Sequence, residues 1–285
     1  MVIITRGNMR LNYQFDGVGN SVDSPLIWLI HGAGGDLNHY DDLKTVLVKQ
    51  SYRVLTCDIR YHGQSQPIDD QQTEFRFVDA LDDLDYILSH LVHTHYPSSS
   101  CRVPLYISGL SMGGVLSLLY ASRYEKDPEW SKQRLVELKG VIPIACTVPG
   151  FLRTREEWKK YQEPPTLSII QYSKMAIVQS AKLTKSQEDI NRAMSQISDL
   201  VLYQCFSEVA NSLLVEQDMS MTKIPMLLII PEHDVLTRQD MEDLYEINHQ
   251  RNIKCQKVII PDALHMVILD HSQQVADHIA QFCKD

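Results

Sequence analysis

Short runs of apolar residues alternate with longer stretches of helical period along this chain, and that alternation limits what it can fold into. "PLIWLI" (25–30), "RVLTC" (53–57), "PLYIS" (104–108), "GVIPIAC" (140–146), "PMLLII" (225–230) and "CQKVII" (255–260) are the apolar runs. Each reads as a strand, and the continuous apolar run "PLIWLI" as one covered on both faces. Between them, "YDDLKTVLVKQ", "TEFRFVDALDDLDYILSHLVHTHY", "MGGVLSLLYASRY" and "MEDLYEINHQ" carry helical spacing, and a last helix runs from about Met266. "VIIT" and "RLNYQF" open the chain as two further strands, with Leu11, Tyr13 and Phe15 alternating with polar residues. Strands alternating with helices imply an α/β fold: a mostly parallel central sheet flanked by helices.

The alternation stops between Thr147 and Lys223. That stretch shows helical patterns and no buried strand, so a core of residues 1–146 and 223–285 is expected to carry a helical cap insert at 147–222. With 285 residues and 44 % apolar content, the chain can bury a core of this size. A formal net charge of −9 argues against a nucleic-acid or anionic-membrane partner, which basic stripes would serve. The six cysteines have no zinc-type spacing, so buried free thiols and no metal are expected. No run is long enough to cross a bilayer, and the first residues lack a signal-peptide pattern. A soluble, cytoplasmic protein follows as the expectation. The oligomeric state is open.

"ISGLSMGGVLSLLY" (107–120) places Ser111 between Gly109 and Gly113, where a strand must turn at once into a helix. G-x-S-x-G alone arises by chance about once in ten chains of this length. Its strand-to-helix setting makes it a candidate nucleophile elbow, with glycines where the turn crowds its neighbours. A serine hydroxyl needs a base, and the base needs an orienting acid, in the chain order Ser, Asp/Glu, His. Asp234 follows the "MLLII" run and His265 lies beyond "KVII", so both fall past strand carboxyl ends, where parallel sheets gather their sites. Asp262 and Glu232 stay open as alternative acids. His233 and His271 read as loop histidines, His233 as a wall or support of the pocket. For an oxyanion hole, the N–H of Met112 pairs with one from "HGAGGD" (31–36). Ala33 is the first candidate there and Gly34 the alternative. The same glycine loop matches neither a dinucleotide fingerprint nor a P-loop, so no organic cofactor is expected.

Taken together, "HGAGGD" (31–36), "DIRYHGQS" (58–65), "GLSMGG" (109–114), "PEHD" (231–234) and "DALHMV" (262–267) resemble the α/β-hydrolase superfamily. The likeness is to its serine esterase, lipase and monoacylglycerol-lipase-like branch. The resemblance implies that Asp58, Arg60, His62 and Ser65 fix a loop behind the site without reacting. It also implies that the insert covers the active site. Tyr61 and Leu110 depart from common family patterns, as does "ALH" (263–265), which replaces the glycine common before the histidine. Trp158, Tyr161, Ile169, Ile170, Tyr172, Met175, Ile177, Met194, Tyr203 and Phe206 of the insert would offer an apolar lining, although most such residues pack an insert onto its sheet. His39, Tyr40 and Leu110 are candidate pocket residues, while Arg153, Lys159 and Lys160 are expected on a solvated face, with contact to an anionic substrate as the alternative. The resulting expectation is a serine hydrolase cleaving a carboxylic ester of a small to medium apolar acyl substrate. Thioester, lactone, amide or carbon–carbon cleavage, or a small-molecule receptor on the same fold, are the alternatives.

Overall fold

The computed structural model describes every residue except 22, 70–73, 97–101, 149–160, 162–165, 215–222 and 285; the side chains of 213 and 214 also lie outside it. Its strands are β1 (Val2–Arg6), β2 (Met9–Asp16), β3 (Leu26–Ile30), β4 (Arg53–Cys57), β5 (Val103–Leu110), β6 (Val136–Ile144), β7 (Met226–Pro231) and β8 (Cys255–Ile260). They form one eight-stranded sheet in the order β1-β2-β4-β3-β5-β6-β7-β8. β2 runs antiparallel to both β1 and β4, and all other neighbours are parallel. Every side chain of β3, β4 and β7 is buried, as the apolar sequences of β3 and β7 demand of strands covered on both faces; in β4 the burial includes the polar Arg53 and Thr56.

The helices of the core are α1 (Asp41–Lys49), α2 (Phe77–His95), α3 (Met112–Lys126), α4 (Pro128–Lys132), α8 (Arg238–Gln250), α9 (Val267–Asp270) and α10 (Ser272–Phe282). Between β6 and β7 come α5 (Leu167–Gln179), α6 (Thr184–Met194) and α7 (Asp199–Leu214), with no strand among the described residues of that stretch. α1 packs on α10, and α2 packs on α3, so helices flank the sheet. The 147–222 stretch also has a small cluster of its own, where Tyr161 stacks on Phe206 with ring centroids 5.0 Å apart and packs with Tyr203.

Two local expectations are corrected. The long helix begins at Phe77 rather than near Thr73, because Arg76 is extended (φ −134°, ψ 143°). The reason lies outside the local sequence: α7 takes over the backbone donors there. Gln204 Oε1 accepts from the Phe75 N–H at 3.1 Å and Glu208 Oε2 from the Phe77 N–H at 2.6 Å. The C-terminal helix is broken at His271 into α9 and α10. α4 is an additional helix started by the Asp127 side chain, which accepts from the Trp130 N–H, with Pro128 at its first position. Among the described residues, no helix is long and apolar enough to cross a membrane.

Candidate active site

β5 ends at Leu110 and α3 begins at Met112, so Ser111 makes the whole turn. It does so at φ 54°, ψ −119°, a conformation that costs a side-chain-bearing residue about 1–3 kcal/mol. Neighbouring strands hold it there. The Ser111 N–H donates to the Ile144 carbonyl at 2.9 Å, and the Leu110 N–H donates to the Tyr40 hydroxyl at 3.1 Å. The glycines answer a demand of space. A Cβ on Gly113 would stand 2.1 Å from the Ile30 oxygen, and one on Gly109 would stand 2.2 Å from the Gly113 carbonyl carbon. Gly114, to which the sequence analysis gave no role, is equally constrained, since its Cβ would meet Cys146 Cβ at 2.6 Å. Its signal was only a second consecutive glycine at the head of a helix.

Asp234, just past β7, is the carboxylate that meets His265. Asp234 Oδ2 lies 2.8 Å from His265 Nδ1, leaving the other ring nitrogen for the cavity that Ser111 also borders. The Leu236 N–H (3.0 Å) and the Thr237 hydroxyl (2.5 Å) also donate to the carboxylate, fixing its orientation. Burial opposes a charge on His265, but the Asp234 carboxylate more than offsets it and raises the imidazole above its usual value. On Asp234 burial pulls upward, and His265, Thr237 and the Leu236 amide together bring it below the ordinary carboxylate value. The alternative acids are occupied elsewhere. Asp262 is exposed and paired with Lys182, and Glu232 accepts from the Asp262 N–H at 2.7 Å. His233 stands near both of them rather than in the cavity.

The glycine loop after β3 is held from behind by the 58–65 turn. Asp58 accepts from Asn12 Nδ2, Leu37 N–H and Gln64 N–H, each at 2.8 Å. Ser65 donates to the Asp58 carbonyl and accepts from the Asn12 N–H, while Arg60 pairs with Asp83 at 2.7 Å. His62 Nε2 accepts the Gly34 N–H at 3.1 Å, and His31 Nε2 accepts the Ile59 N–H at 3.0 Å. Each ring's Nδ1 faces a carbonyl, Arg60 at 3.0 Å and Gly32 at 2.8 Å, so each is a neutral tautomer with Nδ1–H. Burial pushes His31 down to about 4, and burial with the adjacent His31 pushes His62 down to about 3. The Gly34 amide is therefore spent. Among the described residues the Ala33 and Met112 amides have no protein partner, and both residues border the cavity beside Ser111. Two free amides beside a serine at a helix N-terminus can stabilise a developing oxyanion.

The sequence profile of the family described as "Serine aminopeptidase, S33" matches residues 23–272. The chain belongs to the S33 family. It is 29 % identical over 148 residues to the proline iminopeptidase PfmaB of Pestalotiopsis fici, covering 52 % of this chain and 46 % of that protein. It is 26 % identical over 208 residues to the monoglyceride lipase of Rattus norvegicus, covering 72 % of this chain and 63 % of that one. It thus spans less than two thirds of the length of either relative. Among solved structures, a hydrolase from Pseudomonas aeruginosa PA01 superposes with a TM-score of 0.73 at 16 % identity, covering 100 % of this chain and 98 % of that one. The fold is that of the α/β-hydrolases.

In this S33 chain the cavity has a volume of about 170 Å³. Its floor is Gly32–Gly35, Leu110, Ser111 and Met112, and its roof comes from α5, α6 and α7 through Ile177, Ile190, Phe206 and Val209. Of the insert residues expected to line it, Tyr161, Tyr172, Ile177 and Phe206 do; Ile169, Ile170, Met175, Met194 and Tyr203 face elsewhere. Trp158, Arg153, Lys159 and Lys160 lie outside the described residues. His39 and Leu110 line the cavity. Tyr40 does not: it is fully buried, and its hydroxyl donates to the Ile30 carbonyl at 2.9 Å, tying β3 to the serine turn. Thr147, Thr237 and Met266 line the cavity without having been anticipated. Their places follow from strand ends converging in space, which a linear pattern does not display.

The roof is tied to both sides of the floor. Arg192 of α6 holds Asp36, at the end of the glycine loop, through Nη1–Oδ2 at 2.5 Å and Nη2–Oδ1 at 3.0 Å. On the other side, the Met266 N–H donates to the Ser180 carbonyl at 3.0 Å and the Lys182 N–H to Asp270 Oδ2 at 2.7 Å.

Proposed function

We propose that this chain is a serine hydrolase that cleaves a carboxylic ester of a small to medium apolar acyl substrate through an acyl-enzyme. The observation that carries the reading is the strained Ser111 bordering the same cavity as His265, whose far nitrogen is held by Asp234. In the first half-reaction His265 takes the Ser111 proton as Oγ attacks the carbonyl carbon. The Ala33 and Met112 amides receive the negative charge on the carbonyl oxygen, each donor contributing roughly 3 kcal/mol. His265 then protonates the departing alcohol, leaving the acyl group on Ser111. Water, deprotonated by His265, attacks that acyl group, and the proton returns to Ser111 as the acid leaves.

An ester is favoured over a peptide by the charge of the cavity. An aminopeptidase substrate brings an ammonium group, and the described lining residues include no carboxylate to receive it. The helices of the insert act as a cap that closes the site from water. The five described cysteines are free, which supports a reducing, cytoplasmic setting. The test is labelling with a fluorophosphonate probe, followed by mass spectrometry. Rapid modification of Ser111 alone, absent in Ser111→Ala, is the expected result. Folded protein that is not labelled would remove the enzyme reading and favour a small-molecule receptor.

A further inference from the structure

The loop that carries His265 is gripped on both sides by one corner of the insert, residues 180–183 between α5 and α6. After the histidine, the Met266 N–H donates to the Ser180 carbonyl at 3.0 Å. The Asp270 carboxylate accepts the Lys182 N–H at 2.7 Å and the Leu183 N–H at 3.3 Å. Before the histidine, Asp262, itself at φ 57°, pairs with the Lys182 ammonium. The corner is anchored, since Ala181 is 1 % exposed and belongs to the main core.

These contacts differ in weight. Asp262 is exposed, and an ion pair open to solvent contributes little. Asp270 does more. α6 starts at Thr184 behind Leu183, whose side chain cannot cap a helix, and no acidic residue stands in its first turn. The usual local acceptor is missing, and Asp270, 87 residues beyond Leu183, brings a carboxylate to the positive end of the helix. A charged acceptor on two amides is a stronger link than a neutral one.

At its other end α6 grips the glycine loop. Arg192, in the last turn, holds Asp36 with two prongs. Met194 packs on Gly34, where an added Cβ would lie 3.6 Å from its Cγ. The 11 residues of α6 span about 16 Å. The helix therefore crosses the cavity, which its Ile190 lines, from the loop of His265 to the loop of the Ala33 amide. Below it, α9 packs on the 3-10 helix Leu37–Tyr40, closing a ring of contacts around the site.

We infer that Asp270 is a positioning residue: through α6 it fixes the His265 loop against the glycine loop, so that base and oxyanion donor keep one spacing. The roles of base and oxyanion donor rest on the function proposed above; the fixing of the His265 loop does not. Asp234 sets the rotation of the imidazole through Nδ1, whereas the backbone on either side of it is held by the insert. A misplacement of about 1 Å at a reacting group can cost about a hundred-fold in rate. Asp270 does not line the cavity, so its loss should act on kcat rather than on KM.

The test uses the full chain with Asp270→Ala, Asp270→Asn, Arg192→Ala and the double variant of Asp270→Ala with Arg192→Ala. Asp127→Ala is the control, because it removes the cap of α4, which has no part in the cavity. With ethyl butanoate, Asp270→Ala should lower kcat about ten-fold and leave KM within about two-fold. Asp270→Asn, which keeps one acceptor oxygen, should recover part of the loss, and Asp127→Ala should keep kcat. Distant sites ordinarily act independently. A strut instead makes the double variant about as slow as the slower single one, because releasing either end frees it. By NMR, the His265 Nδ1 proton on Asp234 should shift or broaden in Asp270→Ala and stay in place in Asp127→Ala, a readout that needs no turnover. Melting temperatures establish that each variant is folded, and Asp270→Asn keeps the test intact if the alanine variant does not fold. An unmoved His265 resonance, an unchanged kcat, or losses that multiply in the double variant would each overturn the assignment. A displaced resonance in a protein that shows neither ester turnover nor fluorophosphonate labelling rejects the ester-hydrolase reading and leaves this one standing. Turnover with an unmoved resonance does the reverse.

Discussion

The backbone N–H of Gly34 is bonded to Nε2 of His62 at 3.1 Å, and that bond decides which amide of the glycine loop stays free. "HGAGGD" offered Ala33 first and Gly34 as the alternative; with Gly34 engaged, Ala33 is the available donor. Removing His62 frees the Gly34 amide and loosens the loop. His62→Ala is expected to lower kcat by about 10–100-fold, with a smaller change in KM, because the loop's contribution is greatest at the oxyanion. The buried amide left unpaired should cost about 1–3 kcal/mol in urea unfolding. An unchanged kcat in folded variant would mean that the loop holds itself.

Catalysis by the proposed route needs His265 neutral. Its raised pKa places the acid limb of kcat/KM above 6.5, with the rate rising as pH climbs through it. In Asp234→Asn the stabilising carboxylate is gone and burial acts unopposed, so the limb should move below 6.5. The same change should lower kcat by roughly 10³–10⁴-fold. A pH–rate profile of both proteins checks the direction.

The same pair has a signature in stability. The raised pKa of His265 contributes stability that is full below its unfolded value near 6.5 and is lost as pH rises through the folded value. The lowered pKa of Asp234 contributes stability present above 3.8 and lost as pH falls through the folded value. The difference in unfolding free energy between the wild type and Asp234→Asn should therefore be greatest in mildly acidic solution and narrow on either side. Denaturant titrations across pH 3 to about 9 read this directly.

Ser111 is held at positive φ, which glycine adopts without strain. Ser111→Gly should abolish probe labelling and raise the unfolding free energy by about 1 kcal/mol, strain relief exceeding the extra flexibility of the unfolded chain. Loss of stability in this variant would show that the serine side chain supports the fold.

Arg192 joins the insert to the glycine loop through Asp36, which is 2 % exposed. Arg192→Ala leaves that carboxylate buried without its partner. Because Arg192 itself is 40 % exposed, solvent replaces part of what is lost, and a cost of about 1–2 kcal/mol is expected. Arg192→Lys should recover only part, lacking the two-pronged geometry. Thermal unfolding of the pair of variants is the measurement.

The apolar runs determined the sheet, because a stretch with no polar position can exist only where both faces are covered; β3 and β7 follow from composition alone. The elbow was legible for a similar reason. Gly109 and Gly113 flank Ser111 at a strand-to-helix junction, and the steric demand on such a turn is local. Asp234 and His265 could be placed at strand ends. Their pairing, against Asp262 and Glu232, was decided by the twist and order of β7 and β8, which leave Asp262 at the surface with Lys182. Three things had no linear signature: the late start of α2 beneath Gln204 and Glu208, the burial of Tyr40 under Leu110, and the engagement of Gly34 by His62. Each depends on atoms more than twenty residues apart meeting at hydrogen-bond distance. A sequence records local preference and periodicity, whereas which donor meets which acceptor is settled only when the sheet and the helices of the insert close on one another.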